Sequence, residues 1–153
     1  TGRPFTGDHA GILLYATLHA YGFASQPVGA ARDDGLALID CRITNAVKCL
    51  PPDNKPLPAE IKTCNAFLRA RISSLTELRA IVTLGRIAHD GVLTALAARK
   101  SAYPFGHGAE HEIGRVRIFD SYHCSRYNTN TGRLTAPMFH AVFDAIRTEL
   151  DRT

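Results

Sequence analysis

Apolar side chains recur along this chain with two periods, one typical of helices and one typical of buried strands. Helical spacing predicts four helices: from Thr6 or Asp8 to Tyr21, from Pro58 or Ala59 onward, over 86–98, and over 136–151. Short runs of β-branched and apolar residues predict three strands, over 36–44, 79–84 and 116–120. Between the last strand and the last helix lies the polar segment SYHCSRYNTNTG, residues 121–132.

The predicted order, α-β-α-β-α-β-α, indicates the fold class. Strands that alternate with helices run parallel, so the pattern predicts an α/β fold: a three-layer α/β/α sandwich with a central parallel sheet. The 153 residues fit a single domain, 1–153. Ligands of such sheets bind beyond the carboxyl ends of the strands. Asn45, Gly85 and His123 each follow a predicted strand, and the polar segment lies at the same edge.

Composition narrows the choice of function only slightly. The net charge of +4 is compatible with a polyanionic partner, although many proteins without one are equally basic. The chain has neither an apolar run long enough to cross a membrane nor a secretory signal at its start, so we expect a cytoplasmic protein. Its four cysteines lack the spacing of a disulfide scaffold, which fits a reducing compartment.

Two strand-end residues are candidates for chemistry. A neutral histidine such as His123 can donate to an oxygen that gains negative charge, and the Asn45 amide can read the edge of a nucleobase. In the alternative interpretation both residues are structural: Asn45 stabilises its turn and His123 caps its strand. Phe5 could stack under a planar ligand or act as a hydrophobic staple at a helix start. His9, His107 and His111 are interpreted as loop or surface residues.

The polar segment carries groups that contact phosphates, sugars and bases, with a solvated turn as the plainer interpretation.

Cys49 and Cys64 could ligate iron–sulfur or zinc, but two cysteines do not complete a site and could instead be small buried hydrophobes. Cys124 next to His123 allows a cysteine hydrolase as a third hypothesis. Neighbouring residues on an extended backbone point to opposite faces, which argues against a shared proton.

Five stretches in a fixed order resemble the uracil-DNA glycosylase superfamily, and are most similar to its class-B, family-five branch. They are TGRPFTGDHAG at 1–11, DCRITNAVKCLPPDNKPLPAEIKTC at 40–64, LGRIAH at 84–89, PFGHGAEH at 104–111 and SYHCSRYNTNTGRLT at 121–135.

The resemblance implies an enzyme of base excision repair that hydrolyses the N-glycosidic bond of uracil in DNA, and in some members of hypoxanthine. It implies that Phe5 stacks on the flipped base, that Asn45 reads the uracil edge, and that His123 hydrogen-bonds uracil O2 and stabilises the departing base. It implies that the segment from Ser125 through Arg126, Tyr127, Asn128 and Asn130 enters the minor groove of DNA. A monomer is expected.

The resemblance further implies a [4Fe–4S] cluster held by four cysteines, of which Cys49 and Cys64 match the third and fourth. We expect the other two, the opening strand and a water-positioning motif to lie upstream of a truncated start. Cys124 stands where the family usually has proline. The alternative hypothesis is a non-catalytic DNA- or nucleotide-binding module of the same fold.

Overall fold

The computed structural model describes residues 9–29, 35–44 and 58–152. Eight regular elements follow one another in these ranges, together with a short 3₁₀ helix over Lys100–Ala102. They are α1 (His9–Ala20), α2 (Pro58–Ser74), β1 (Ala80–Leu84), α3 (Arg86–Ala95), β2 (Glu110–Ile113), β3 (Val116–Ser121), α4 (Arg126–Asn130) and α5 (Ala136–Leu150). All four predicted helices and two of the three predicted strands are confirmed within these ranges, with ends shifted by a few residues.

The residues group into two compact units, one formed by 1–44 with 122–153 and the other by 45–121. In the first unit, α1 packs against α5. The Phe139 and Phe143 rings lie 5.1 Å apart, and the Tyr21 ring lies 6.0 Å from Phe143. Offset and tilted aromatic pairs of this kind stabilise a core beyond the area they bury. The prediction of a single domain over 1–153 stays a prediction.

The second unit contains a three-stranded sheet in the order β1-β3-β2. β1 and β3 run parallel, with Ala80 opposite Arg117 and Leu84 opposite Ser121, as the alternation of strands and helices predicts. Helix α3 packs on α2 and on β1. The apolar core between these elements is formed by Leu68, Val92, Ala95, Val116 and Ile118.

The sheet of this unit is mixed, because β2 pairs with β3 in the antiparallel direction beside the predicted parallel pair of β1 and β3. The sequence pattern predicts no strand at β2. Its four residues, EHEI, include a single apolar side chain, Ile113, so no strand-like alternation is visible. Gly114, with φ of 60°, turns the chain directly into β3. An antiparallel edge strand on an otherwise parallel sheet is common in α/β folds.

The predicted strand over 36–44 is also wrong for these residues. The segment makes one isolated antiparallel bridge, between Leu38 and Ala24, with the amide of Ile39 donating to the carbonyl of Phe23 over 2.9 Å. Asp40 then adopts φ of 55°, a left-handed conformation that interrupts an extended run. Apolar composition therefore indicated a strand where the backbone turns after a single bridge.

Helix α3 ends earlier than its apolar pattern predicts, because its last turn closes in a Schellman motif. Ala97 takes φ of 56°, and the amide of Ala98 donates to the carbonyl of Leu93 over 2.8 Å. The left-handed residue is usually glycine, and here it is alanine, so the sequence carries no stop signal at this point. Among the described residues, no helix combines the length and the apolar character that a membrane crossing requires.

Two isoleucines of the second unit test the position of its core. Ile118 on β3 is fully buried, whereas Ile87 on α3 is 56% exposed. Ile118→Ala should lower the free energy of unfolding by about 2–5 kcal/mol, because it removes buried methyl groups and leaves a cavity. Ile87→Ala should change it by about 0.5 kcal/mol or less. Urea denaturation of both variants measures the difference, and equal losses would contradict the assignment of this core.

Candidate active site

His123 follows directly on the end of the central strand. β3 ends at Ser121, and the chain continues through Tyr122 to His123, which is half-buried. The other residues that the resemblance implies for base recognition, Phe5 and Asn45, lie outside the described residues, as does Cys49. Of the predicted base-binding set, the structure therefore describes His123 alone, and its predicted role stays a prediction.

The segment that follows His123 is a short helix and not the loop that its composition predicted. Ser125 caps α4, since its hydroxyl oxygen accepts a hydrogen bond from the amide of Asn128 over 3.2 Å. Within one turn of helix, Arg126, Tyr127 and Asn130 lie on one face. All three are exposed, Tyr127 by 73%.

The opposite side of α4 is half-buried and is tied to the rest of the first unit. The side-chain amide nitrogen of Asn128, Nδ2, donates to the carbonyl oxygen of His123 over 2.9 Å. The Thr129 hydroxyl lies 3.1 Å from Nε2 of His9, the first residue of α1. His9, interpreted from sequence as a loop or surface residue, is therefore a half-buried contact between two helices. The five predicted DNA-binding residues thus have three different surroundings. Three are exposed, Ser125 caps the helix, and the half-buried Asn128 is hydrogen-bonded to the backbone of His123.

The cysteines of the first unit are not placed for nucleophilic attack. Cys124 is fully buried, so its thiol has no access to a substrate, and the structure does not favour the cysteine hydrolase hypothesis. The Cys41 thiol donates to the carbonyl oxygen of Phe23 over 3.4 Å. Burial raises the pKa of Cys41 to about 11, with the Asp40 charge acting in the same direction. At neutral pH this thiol stays protonated, which disfavours both nucleophilic and metal-ligand roles.

An iron–sulfur cluster would need four thiolates. Cys64, on α2, is fully buried and is the one ligand from the implied pair that the structure describes. The second, Cys49, lies outside the described residues. One buried thiol does not define a cluster site, so the described residues neither assemble such a site nor contradict it.

Sequence reasoning missed a buried polar cluster in the second unit. Asp120, near the end of β3, has no solvent exposure, and its carboxyl group receives three side chains. Oδ1 lies 2.8 Å from the Thr83 hydroxyl and 2.7 Å from Nδ1 of His89, and Oδ2 lies 3.0 Å from Nε2 of His111. The interpretation of His111 as a loop or surface residue is therefore wrong, because β2 holds it against Asp120.

The hydrogen bonds of His89 determine where protons lie in this cluster. Nε2 of His89 lies 2.8 Å from the carbonyl oxygen of Tyr103, which can only accept, so Nε2 carries a hydrogen. Nδ1 faces the Asp120 carboxyl group, whose two oxygens also face the Thr83 hydroxyl and His111. The 2.7 Å contact between Nδ1 of His89 and Oδ1 of Asp120 is a hydrogen bond, and it therefore contains a proton.

This cluster also has the composition of a metal site. His89, His111 and Asp120 each offer one ligand atom, and these atoms lie within 4.8 Å of one another. Both histidines are, however, already hydrogen-bonded to the Asp120 carboxyl group. Throughout the described part of the chain, no buried side-chain nitrogen or oxygen lacks a hydrogen-bond partner. The cluster therefore closes on itself, and its hydrogen bonds join β1, α3, β2 and β3.

The parallel pair of β1 and β3, with α2 and α3 packed beside it, gives the second unit an α/β architecture. A family model described as the uracil DNA glycosylase superfamily matches residues 1–147. The chain belongs to the uracil-DNA glycosylase superfamily. The resemblance and the α/β fold class that it implied are confirmed.

Several curated relatives that are similar to most of this chain are type-5 uracil-DNA glycosylases. The chain is 47% identical over 140 residues to a type-5 uracil-DNA glycosylase of Thermus thermophilus, covering 91% of this chain and 64% of that protein. It is 44% identical over 146 residues to a type-5 enzyme of Mycobacterium bovis, covering 94% and 54%. It is 42% identical over 135 residues to a type-5 enzyme of Pyrobaculum aerophilum, covering 88% and 58%. The chain thus spans less than two thirds of the length of each of these relatives.

The buried cluster should be necessary for the stability of the second unit. Asp120→Ala leaves the buried His89 ring and the Thr83 hydroxyl without their shared hydrogen-bond partner. Breaking a buried pair in this way should cost about 3–5 kcal/mol of unfolding free energy. Glu112→Ala is the control, since its 73% exposed side chain only pairs with Arg117 over 3.7 Å and should contribute about 1 kcal/mol or less. Equal effects on urea denaturation would show that the cluster contributes no special stability.

Proposed function

We propose that the protein is a uracil-DNA glycosylase of base excision repair, which hydrolyses the N-glycosidic bond of uracil in DNA. The observation that carries the proposal is the match of residues 1–147 to the superfamily, together with type-5 enzymes as relatives. The described geometry supports it: His123 follows the central strand, and the exposed face of α4 begins three residues later. Hypoxanthine and other deaminated bases remain proposed substrates by resemblance.

The proposed reaction begins when the damaged base is flipped out of the duplex, where Phe5 would stack on it and Asn45 would read its edge. The bond between C1′ of the sugar and N1 of uracil then breaks, and its electron pair leaves with the base. A hydrogen bond from His123 to uracil O2 would stabilise that negative charge. Water adds to the oxocarbenium-like C1′ and loses a proton, which leaves an abasic site in an intact strand. No lysine is proposed as a covalent nucleophile.

A [4Fe–4S] cluster belongs to the proposal as a resident group outside the reaction. Cys49 and Cys64 would supply two of its four ligands, and the buried position of Cys64 is compatible with a structural role. The proposed partner is DNA that contains a deaminated base, and a cytoplasmic monomer is proposed with it. These points rest on the resemblance.

The assignment of His123 is tested by base release from a uracil-containing duplex. His123→Ala in the full-length gene product should lower the single-turnover rate about 100- to 1,000-fold, the usual effect of losing one charge-stabilising donor. His140→Ala is the matched control: His140 lies on α5, half-buried against Tyr21, and its loss should leave the rate unchanged. Wild-type rates in the His123 variant would overturn its assigned role.

The exposed face of α4 should contribute to DNA affinity. Arg126→Ala should weaken binding to the duplex and reduce the slope of log Kd against log salt concentration by about one, because one phosphate contact is lost. Arg152→Ala removes an equally charged, 69% exposed side chain beyond α5 and should leave both quantities unchanged. Fluorescence anisotropy over a range of salt concentrations measures them. Identical salt slopes for wild type and Arg126→Ala would exclude Arg126 from the interface.

A further inference from the structure

Helix α4 has two faces with different surroundings, and only one of them is free to meet DNA. Arg126, Tyr127 and Asn130 are exposed. Asn128 and Thr129 are half-buried, and their side chains form hydrogen-bond contacts inside the first unit. A residue whose amide group is already bonded to the protein is poorly suited to read or displace a base. This division suggests that the inner face serves another purpose.

Asn128 holds the backbone of the proposed catalytic histidine. Its side-chain nitrogen donates to the His123 carbonyl oxygen over 2.9 Å, and a carbonyl oxygen only accepts, which fixes the orientation of the amide. The backbone of Asn128 is itself held at both ends. Its amide donates to the Ser125 hydroxyl, and its carbonyl accepts from the amide of the buried Leu134 over 3.0 Å. The His123 carbonyl is therefore tied to a fixed point.

A second contact anchors the same face of α4 to α1. The Thr129 hydroxyl lies 3.1 Å from the carbonyl oxygens of both Ser125 and Arg126, so it donates to the backbone of its own helix. Its oxygen then accepts from Nε2 of His9, 3.1 Å away and 120 residues distant in sequence. Helix α4 is thus fixed by side chains on two consecutive residues, one bonded to the segment before it and one bonded to α1.

The residue after His123 explains why such a tie is useful. A proline at position 124 would restrict the backbone of the residue before it. Cys124 imposes no such restriction. The hydrogen bond from Asn128 acts on the same peptide group, the one between His123 and Cys124, and limits its rotation. The hydrogen bond from Asn128 would then limit the backbone of His123 in the way that a proline ring at position 124 would.

We propose that Asn128 is a positioning residue for base excision, which acts through the backbone of His123, while the outer face of α4 alone contacts DNA. The inference rests on the proposed function, and it assigns Asn128 a different role from the minor-groove contact that the resemblance implies. A catalytic donor displaced by about 1 Å can lose roughly 100-fold in rate, so a tie of this kind affects chemistry and not affinity.

The test separates the rate of chemistry from the affinity for DNA. Asn128→Ala, Asn128→Asp and Tyr127→Ala are made in the full-length gene product. Each is assayed for single-turnover release of uracil at saturating enzyme, for duplex Kd by anisotropy and for melting temperature. Both Asn128 variants should lose about tenfold or more in rate with Kd within about twofold of wild type, since geometry at His123 changes while the DNA face does not. Tyr127→Ala should instead weaken Kd, since it removes an exposed side chain of the outer face of α4.

Asn128→Asp is the decisive variant, because it keeps the shape of asparagine but cannot donate when ionised. Its rate should rise as the pH is lowered towards the pKa of the new carboxyl group, where a protonated acid can donate to the His123 carbonyl again, relative to wild type at the same pH. A merely structural role would not produce this recovery. Wild-type rates in both variants, or a weakened Kd with an unchanged rate, would overturn the inference. No uracil release by wild type would refute the proposed function itself, and the inference would fall with it.

Discussion

The Asp120 carboxyl group, fully buried and surrounded by donors, is the constraint on which the second unit depends. A buried charge is costly unless it is paired and hydrogen-bonded. Here the His89 ring, the Thr83 hydroxyl and the His111 ring meet that requirement from three different elements. The strands and α3 must therefore adopt one relative arrangement for the cluster to close. The apolar core around Ile118 packs on the same strands, and the polar cluster adds hydrogen bonds that join them to α3.

The same strand leads to the functional segment. Two residues separate Asp120 from His123, and the carbonyl oxygen of the first, Ser121, accepts a hydrogen bond from the backbone amide of Gly85 over 2.8 Å. Gly85 takes φ of 98° at the turn between β1 and α3, a conformation that glycine adopts without strain. The carboxyl end of β3 is thus fixed by both side-chain and backbone contacts just before the chain reaches the residue proposed for catalysis.

The periodic parts of the sequence predicted the fold well, and the parts that lack a period did not. α1, α2 and α5 follow from their apolar spacing, and β1 and β3 follow from short apolar runs. β2 was missed because four residues give too little pattern. A strand was predicted over 36–44 because composition carries no information on the left-handed turn at Asp40. For the site, His123 and the DNA-facing residues came from family resemblance. The Asp120 cluster could not be found from sequence, since its members are distant along the chain and only pairing of the strands unites them.

The central claim is that the full-length protein releases a free base from DNA, and the most direct measurement is chromatographic detection of uracil after incubation with a uracil-containing duplex. The account predicts free uracil in amounts equal to the abasic sites formed, with the DNA strand uncut until alkali is added. Tight binding to the same duplex without any release of uracil would contradict the account and favour a non-catalytic module of this fold.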